Sequence, residues 1–150
     1  MFGFLNGKKA RNDLKAKLAD SANRLSGRLD FLQGAVSLAA LVMAADGEIE
    51  AAERDMLARS LRNNDTLNAA YTGAQIDEAT KRALAKAEQG RTGKKALWSE
   101  VEDLKGDPDA ETVILMAMDV ADSDGDMEPA EQKVLRDACD RLGLSFEALV

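Results

Sequence analysis

The chain reads as an all-α, single-domain bundle of about seven to eight helices containing an internally duplicated helix–loop–helix unit, and three observations point there. Its 150 residues are one domain's worth. Aromatics make up only 4% and prolines number 2, while Ala, Leu and charged residues dominate, a composition that suits helices and not a β-sandwich or barrel. Apolar residues recur at helical spacing between glycine, Asp-Gly and Pro breaks.

Leu14, Leu18, Ala22 and Leu25 fall at i, i+4, i+8 and i+11, which predicts a helix over Asn12–Ser26 ended by Gly27. From Leu29 to Ala45 apolar residues occupy every side of the helical wheel, the pattern of a helix at the centre of a bundle. A helix over Ala51–Arg62 turns Met56, Leu57 and Leu61 inward. Residues 63–73 read as a loop with a short turn near Leu67–Tyr71. A further helix runs to Glu88 and stops at Gly90; another spans Lys94–Lys105 and stops at Gly106, with Trp98, the sole tryptophan, packed between helices. Asp107-Pro108 reads as N-cap and first helical residue, because proline lacks the N–H that this position leaves unpaired. The helix it opens reaches Ala121. Glu128-Pro129 starts the next one in the same way, Gly143 closes it, and Ser145 caps a terminal turn holding Phe146 and Leu149.

The charges are segregated. Net charge is −7, yet residues 1–28 hold seven basic and two acidic side chains, so the remainder carries −12. An acidic body argues against nucleic acid and for a cation or a basic partner. Histidine is absent, which excludes imidazole acid/base catalysis, a Ser-His-Asp triad and His-containing zinc sites. The one cysteine, Cys139, forms no internal disulfide, which suits a reducing cytosol. The most apolar stretch, Ala35–Ala45, is too short to cross a membrane and lies too far along the chain for a signal peptide. Residues 90–95 hint at a phosphate loop but lack its first glycine and its Ser or Thr.

Placed under one another with a constant shift of 78, Ala39–Leu57 and Ala117–Leu135 share Ala39/Ala117, Val42/Val120, Asp46/Asp124, Gly47/Gly125, Glu50/Glu128, Ala52/Ala130, Glu53/Glu131 and Leu57/Leu135. The repeat units span about 35–62 and 113–142. In each, a buried helix runs into Asp-Gly, one acid, one apolar residue and a glutamate-bearing helix start. Cys139 aligns with Leu61 and so belongs to the core.

With Gly125 as position 6 of a calcium-binding loop, Asp122, Asp124 and Asp126 fall at positions 3, 5 and 7, Glu128 at 9 and Glu131 at 12, but Val120 at position 1 is no side-chain ligand. The first loop is poorer, with Asp46, Glu48, Glu50 and Glu53. The same acids also suit ordinary helix starts: Glu50 and Glu128 sit where negative charge meets the helix dipole, and Glu53 and Glu131 fall at N3 of a capping box. Capping leaves one feature over. Six acids lie between Asp119 and Glu131 with no basic residue among them, an arrangement whose self-repulsion a cation relieves. Both readings stand at this point: Asp46, Glu48, Glu53, Asp122, Asp124, Asp126 and Glu131 as ligands of a weakly bound divalent cation, Ca²⁺ foremost, or as caps of a structural adaptor. A third, a metal-assisted hydrolase built on the loop carboxylates, lacks an evident nucleophile.

The basic N-terminus followed by Phe31–Glu53, Val113–Glu131 and the ending Arg141–Leu149 resembles the TerB tellurite-resistance family over essentially the whole chain. The resemblance implies an all-helical, internally duplicated protein, and the lack of histidine, of an evident nucleophile and of a phosphate cradle makes a non-enzymatic role the expectation. The resemblance further implies divalent cations bound through loop acids, here Asp46, Glu53, Asp124 and Glu131, and work alongside an integral-membrane partner. Members often carry Ser or Thr where this chain has Glu50 and Glu128, which leaves those two open between ligand and cap. Phe2, Phe4 and Leu5 with the lysines to Lys17 suit an anionic membrane surface or a docking partner, and the same charges suit a solvated helix face; the expected location is cytoplasmic, with the inner-membrane periphery as its membrane-bound alternative.

Overall fold

Helix α1 (Leu29–Met43) is enclosed on every side from Gly34 onward, as its uniformly apolar sequence predicts. The computed structural model describes residues 25–122 and 127–150, and its described elements are all helical. After α1 come α2 (Ala51–Arg62), α3 (Asp65–Ala70), α4 (Gly73–Ala87), α5 (Gly90–Glu102), α6 (Ala110–Asp122), α7 (Pro129–Leu142) and α8 (Phe146–Leu149). The helix predicted over Asn12–Ser26 lies outside the described residues except for its end, where Leu25 is fully buried.

Helices α4, α5 and α6 pack around α1. Small residues bring them close. A side chain on Gly34 would lie 2.5 Å from Leu104 Cδ1 and 3.1 Å from the Glu100 carbonyl oxygen, so α1 and the α5 region approach nearly backbone to backbone. Ser37, a polar residue inside the most buried helix, is hydrogen-bonded to Glu100 of α5. Lys86 of α4 donates to the other Glu100 oxygen at 2.6 Å. One partly buried carboxylate thereby ties three helices, and among the described residues no buried side-chain nitrogen or oxygen lacks a partner.

The start of α1 is held by Arg28, which pairs with Asp30 at 2.9 Å and with Asp107 ahead of α6, while the Tyr71 hydroxyl donates to the Arg28 carbonyl at 2.7 Å. Burial alone would raise the Asp107 carboxyl; Arg28 and the Asp109 N–H hold it below its ordinary value. Arg141 of α7 lies 4.2 Å above the Trp98 ring of α5 and pairs with Glu102 and Asp137. Trp98 thus bridges two helices, as expected. Cys139 and Leu61, aligned in the repeat, are both buried.

The stretch 63–73, read as a loop with a short turn, holds the six-residue helix α3, and two helix boundaries also differ from the sequence reading. Gly90 does interrupt the chain, but α5 resumes at Gly90 itself, four residues before the predicted Lys94, and ends at Glu102. The corner is that tight because Gly93 sits against the Lys86 carbonyl, where a Cβ would lie 1.7 Å from the oxygen. Pro108 is not the first residue of a regular helix. Asp107 accepts the Asp109 N–H at 2.8 Å through its side chain and the Ala110 N–H at 3.1 Å through its carbonyl, winding a tight turn before α6 begins at Ala110. The remaining starts follow their caps: Asn64 and Thr72 accept N–H groups of α3 and α4, and Gln75 closes a capping box with Thr72.

The glycines give a ranked prediction. Gly93→Ala meets backbone and should lose at least about 2 kcal/mol in urea denaturation, whereas Gly34→Ala meets mainly the movable end of Leu104 and should lose less. Equal losses would mean that the α4–α5 corner relaxes freely.

Candidate functional site: two acidic loops

Both Asp-Gly loops follow a buried helix and precede an amphipathic one. Helices α1 and α6, which lead into the loops, pack on each other; α1 also touches α7, and α6 touches α2. Each leading helix therefore meets the helix beyond the other's loop, a reciprocal arrangement.

In the first loop Asp46, Glu48 and Glu50 are exposed, and Gly47 takes φ +136°, a backbone conformation that the Asp-Gly step supplies without strain. Glu50 is the N-cap of α2. Its N–H donates to Glu53 Oε1 at 3.0 Å, and the two glutamates form a capping box. The second loop repeats this. Glu128 is the N-cap of α7, its N–H donates to Glu131 Oε1 at 2.9 Å, and Pro129 stands at the first helical position. Gln132 also donates to the Met127 carbonyl at 3.2 Å. Asp119 and Asp122 are exposed on the last turn of α6. Asp124 and Asp126 lie outside the described residues.

The question left open by the sequence at Glu53 and Glu131 thus acquires a geometry. Each carboxylate gives an oxygen to the backbone N–H three residues earlier, so a two-oxygen grip on a cation competes with that hydrogen bond for the same oxygen. Among the described residues no group of three or more His, Cys, Asp and Glu side chains is gathered to hold a metal ion. The donor chemistry fits a hard cation, all oxygen with no thiolate or imidazole; the described arrangement of the first loop does not enclose one.

A feature with no sequence signal adjoins the first loop. A cleft of about 520 Å³ is bounded by Gly47, Glu48 and Ile49 of the loop, by Arg54 of α2 and by Glu88 and Lys94 at the α4–α5 corner. Arg54 pairs with Glu88 across it. The residues forming it are separated by up to about fifty positions and follow no periodicity, so only the folded chain assembles them.

Cys139 is set apart from this chemistry. Burial, with smaller contributions from Asp140 and Glu147, pushes its thiol from an ordinary 9.0 up to about 11. The folded state favours the neutral thiol, so this contribution to stability is intact below pH 9.0 and fades as pH rises toward about 11. A disulfide reagent at pH 8 should leave the native thiol unmodified and label it only in denaturant. Rapid native labelling would place Cys139 at the surface.

Among the described residues no helix is long and apolar enough to cross a membrane. No curated protein and no solved structure matches the chain. The family model described as "Tellurite resistance protein TerB" matches residues 33–150, from the second turn of α1 through both loops to the last residue. The chain belongs to the TerB family.

Proposed function

We propose that this protein is a non-enzymatic member of a tellurite-resistance or stress-response system that binds a divalent cation, Ca²⁺ foremost, at its acidic loops and docks on a membrane-protein partner. The observation that carries the reading is the equivalence of Glu53 and Glu131: each stands at the third position of the helix beyond its loop, bonded to the N–H of the glutamate that opens it. Two loops with the same acid in the same place, on helices that pair reciprocally, are best read as copies of one unit. Asp46, Glu48 and Glu53 would hold a cation at the first loop, and Asp122, Asp124, Asp126 and Glu131 at the second. Carboxylates supply all the charge, and six acids without a base between Asp119 and Glu131 favour a cation of charge two. The basic residues 1–17, with Phe2, Phe4 and Leu5, would meet an anionic membrane surface near the partner.

The competing structural reading draws on the same capping boxes: these acids start helices and bind nothing. Calcium titration of the full chain followed by amide NMR separates the two. Cation binding displaces the cap bonds, so the Glu50 and Glu128 amide signals should move together at micromolar to millimolar calcium. Glu131→Gln retains an acceptor for the cap and should keep stability within about 0.5 kcal/mol, while weakening the response of the second loop about tenfold. Static amide signals, or an unchanged response in the variant, would reduce both loops to helix caps.

A further inference from the structure

The cleft beside the first loop has a built floor. Ala44 is buried, and Ile49 and Ala87 pack against the core, so its apolar base is held by the contacts that hold the bundle together. At about 520 Å³ it has the capacity of a site that encloses a small molecule.

Two cations from different helices line this space, Arg54 of α2 and Lys94 of α5. Arg54 meets Glu88 through Nη2, and its other N–H groups have no described partner. Lys94 is half-buried and pairs with no described acid. Of the two carboxylates in the cleft, Glu88 is engaged by Arg54, while Glu48 is exposed on the loop and pairs with neither cation. Arg91 and Lys95, within a turn of Lys94, likewise have no described acidic partner. In a body that carries −12 beyond residue 28, this corner reverses the sign of the local charge. Residues 90–95, where the sequence hints at a phosphate loop, are helical and form no such loop, yet they bring Gly90 and Lys94 to the edge of the cleft.

We propose that the cleft binds a small organic phosphate, with its phosphoryl oxygens shared between Lys94 and the uncommitted N–H groups of Arg54 and its organic part against Ala44, Ile49 and Ala87. A dianionic head matches two cations drawn from two helices, and a guanidinium already oriented by Glu88 offers its remaining donors at no further ordering cost. The inference stands apart from the cation reading, since Arg54, Glu88 and Lys94 belong to neither acidic loop.

The test titrates phenyl phosphate into the full chain in the presence of EDTA and follows the amide signals. Those of Ile49, Ala87, Gly90 and Lys94 should shift saturably while those of Asp119 and Asp122 stay fixed, and inorganic phosphate, which lacks the apolar part, should bind more weakly. Lys94→Gln should weaken binding about tenfold, whereas Glu88→Gln, which frees Arg54 and removes a competing carboxylate, should tighten it by a factor of about three. A cation site would answer these two substitutions with the opposite signs. Both positions reach solvent, so the melting temperatures without ligand should be nearly unchanged; if Lys94→Gln does unfold, Glu88→Gln alone carries the sign. Absence of saturable shifts, shifts scattered over the surface, or weakening by Glu88→Gln would overturn the proposal. So would shifts that need added calcium, which would assign the phosphate to an ion on the loop, or shifts produced by vesicles containing phosphatidic acid and not by phenyl phosphate, which would give the cleft to a lipid.

Discussion

The enclosure of α1 governs the rest of the molecule. A helix buried on every side from Gly34 to Met43 has no face on which to present chemistry, so whatever the protein does is displaced to the ends of that helix and to the segments beyond. The enclosure itself depends on small residues. Gly34, Ala35, Ala39 and Ala40 let neighbouring helices approach closely, and larger residues there would force them apart. Apolar packing of this kind tolerates almost no polar group, which is why Ser37 requires Glu100, and Glu100 in turn requires Lys86.

From that constraint the positions of the acidic loops follow. Both leading helices, α1 and α6, are buried, and each must emerge into solvent before the chain can reverse. At the first loop Asp46-Gly47 supplies the emergence, with Gly47 at φ +136°, and at both helix starts glutamates satisfy backbone N–H groups that would otherwise lack partners. Glu53 and Glu131 thus have a structural role at the helix starts before any cation is considered. The cleft beside the first loop arises in the same way: the α4–α5 corner, tightened by Gly93, brings Glu88 and Lys94 up to the loop that α1 ends in.

Much of this was legible in the residues. The all-round apolar run fixed α1 as the central helix, Glu128-Pro129 marked the start of α7, and Gly143 its end. The repeat correctly placed Cys139 in the core through its alignment with Leu61. What escaped was set by contacts distant in sequence. Nothing local says that Gly93 rests on the Lys86 carbonyl, so the local pattern starts α5 four residues late. Asp107-Pro108 has the residues of a helix start, but Arg28 draws on the Asp107 carboxylate from 79 positions away, and the chain makes an extra turn first. At the candidate site the sequence offered the acids without the bonds; that Glu53 and Glu131 are each committed to a backbone N–H is visible only in the fold.

That commitment bears on affinity in a way that magnitudes decide. An N-terminal capping interaction is worth about 1 kcal/mol, and each such bond surrendered to a cation weakens binding by about fivefold. A penalty of that size would not by itself abolish binding by four or more carboxylates drawn around an ion, since their mutual repulsion falls when it arrives. It would move affinity toward the weak end of the range for oxygen-ligand loops, where occupancy follows changes in concentration instead of staying saturated. The ligands that bind a cation would then be the same groups that start α2 and α7, so occupancy and the integrity of two helix termini are coupled through a single pair of glutamates. A loop that capped and bound with separate residues would have no such link, and calcium would alter its charge without touching the helices that follow.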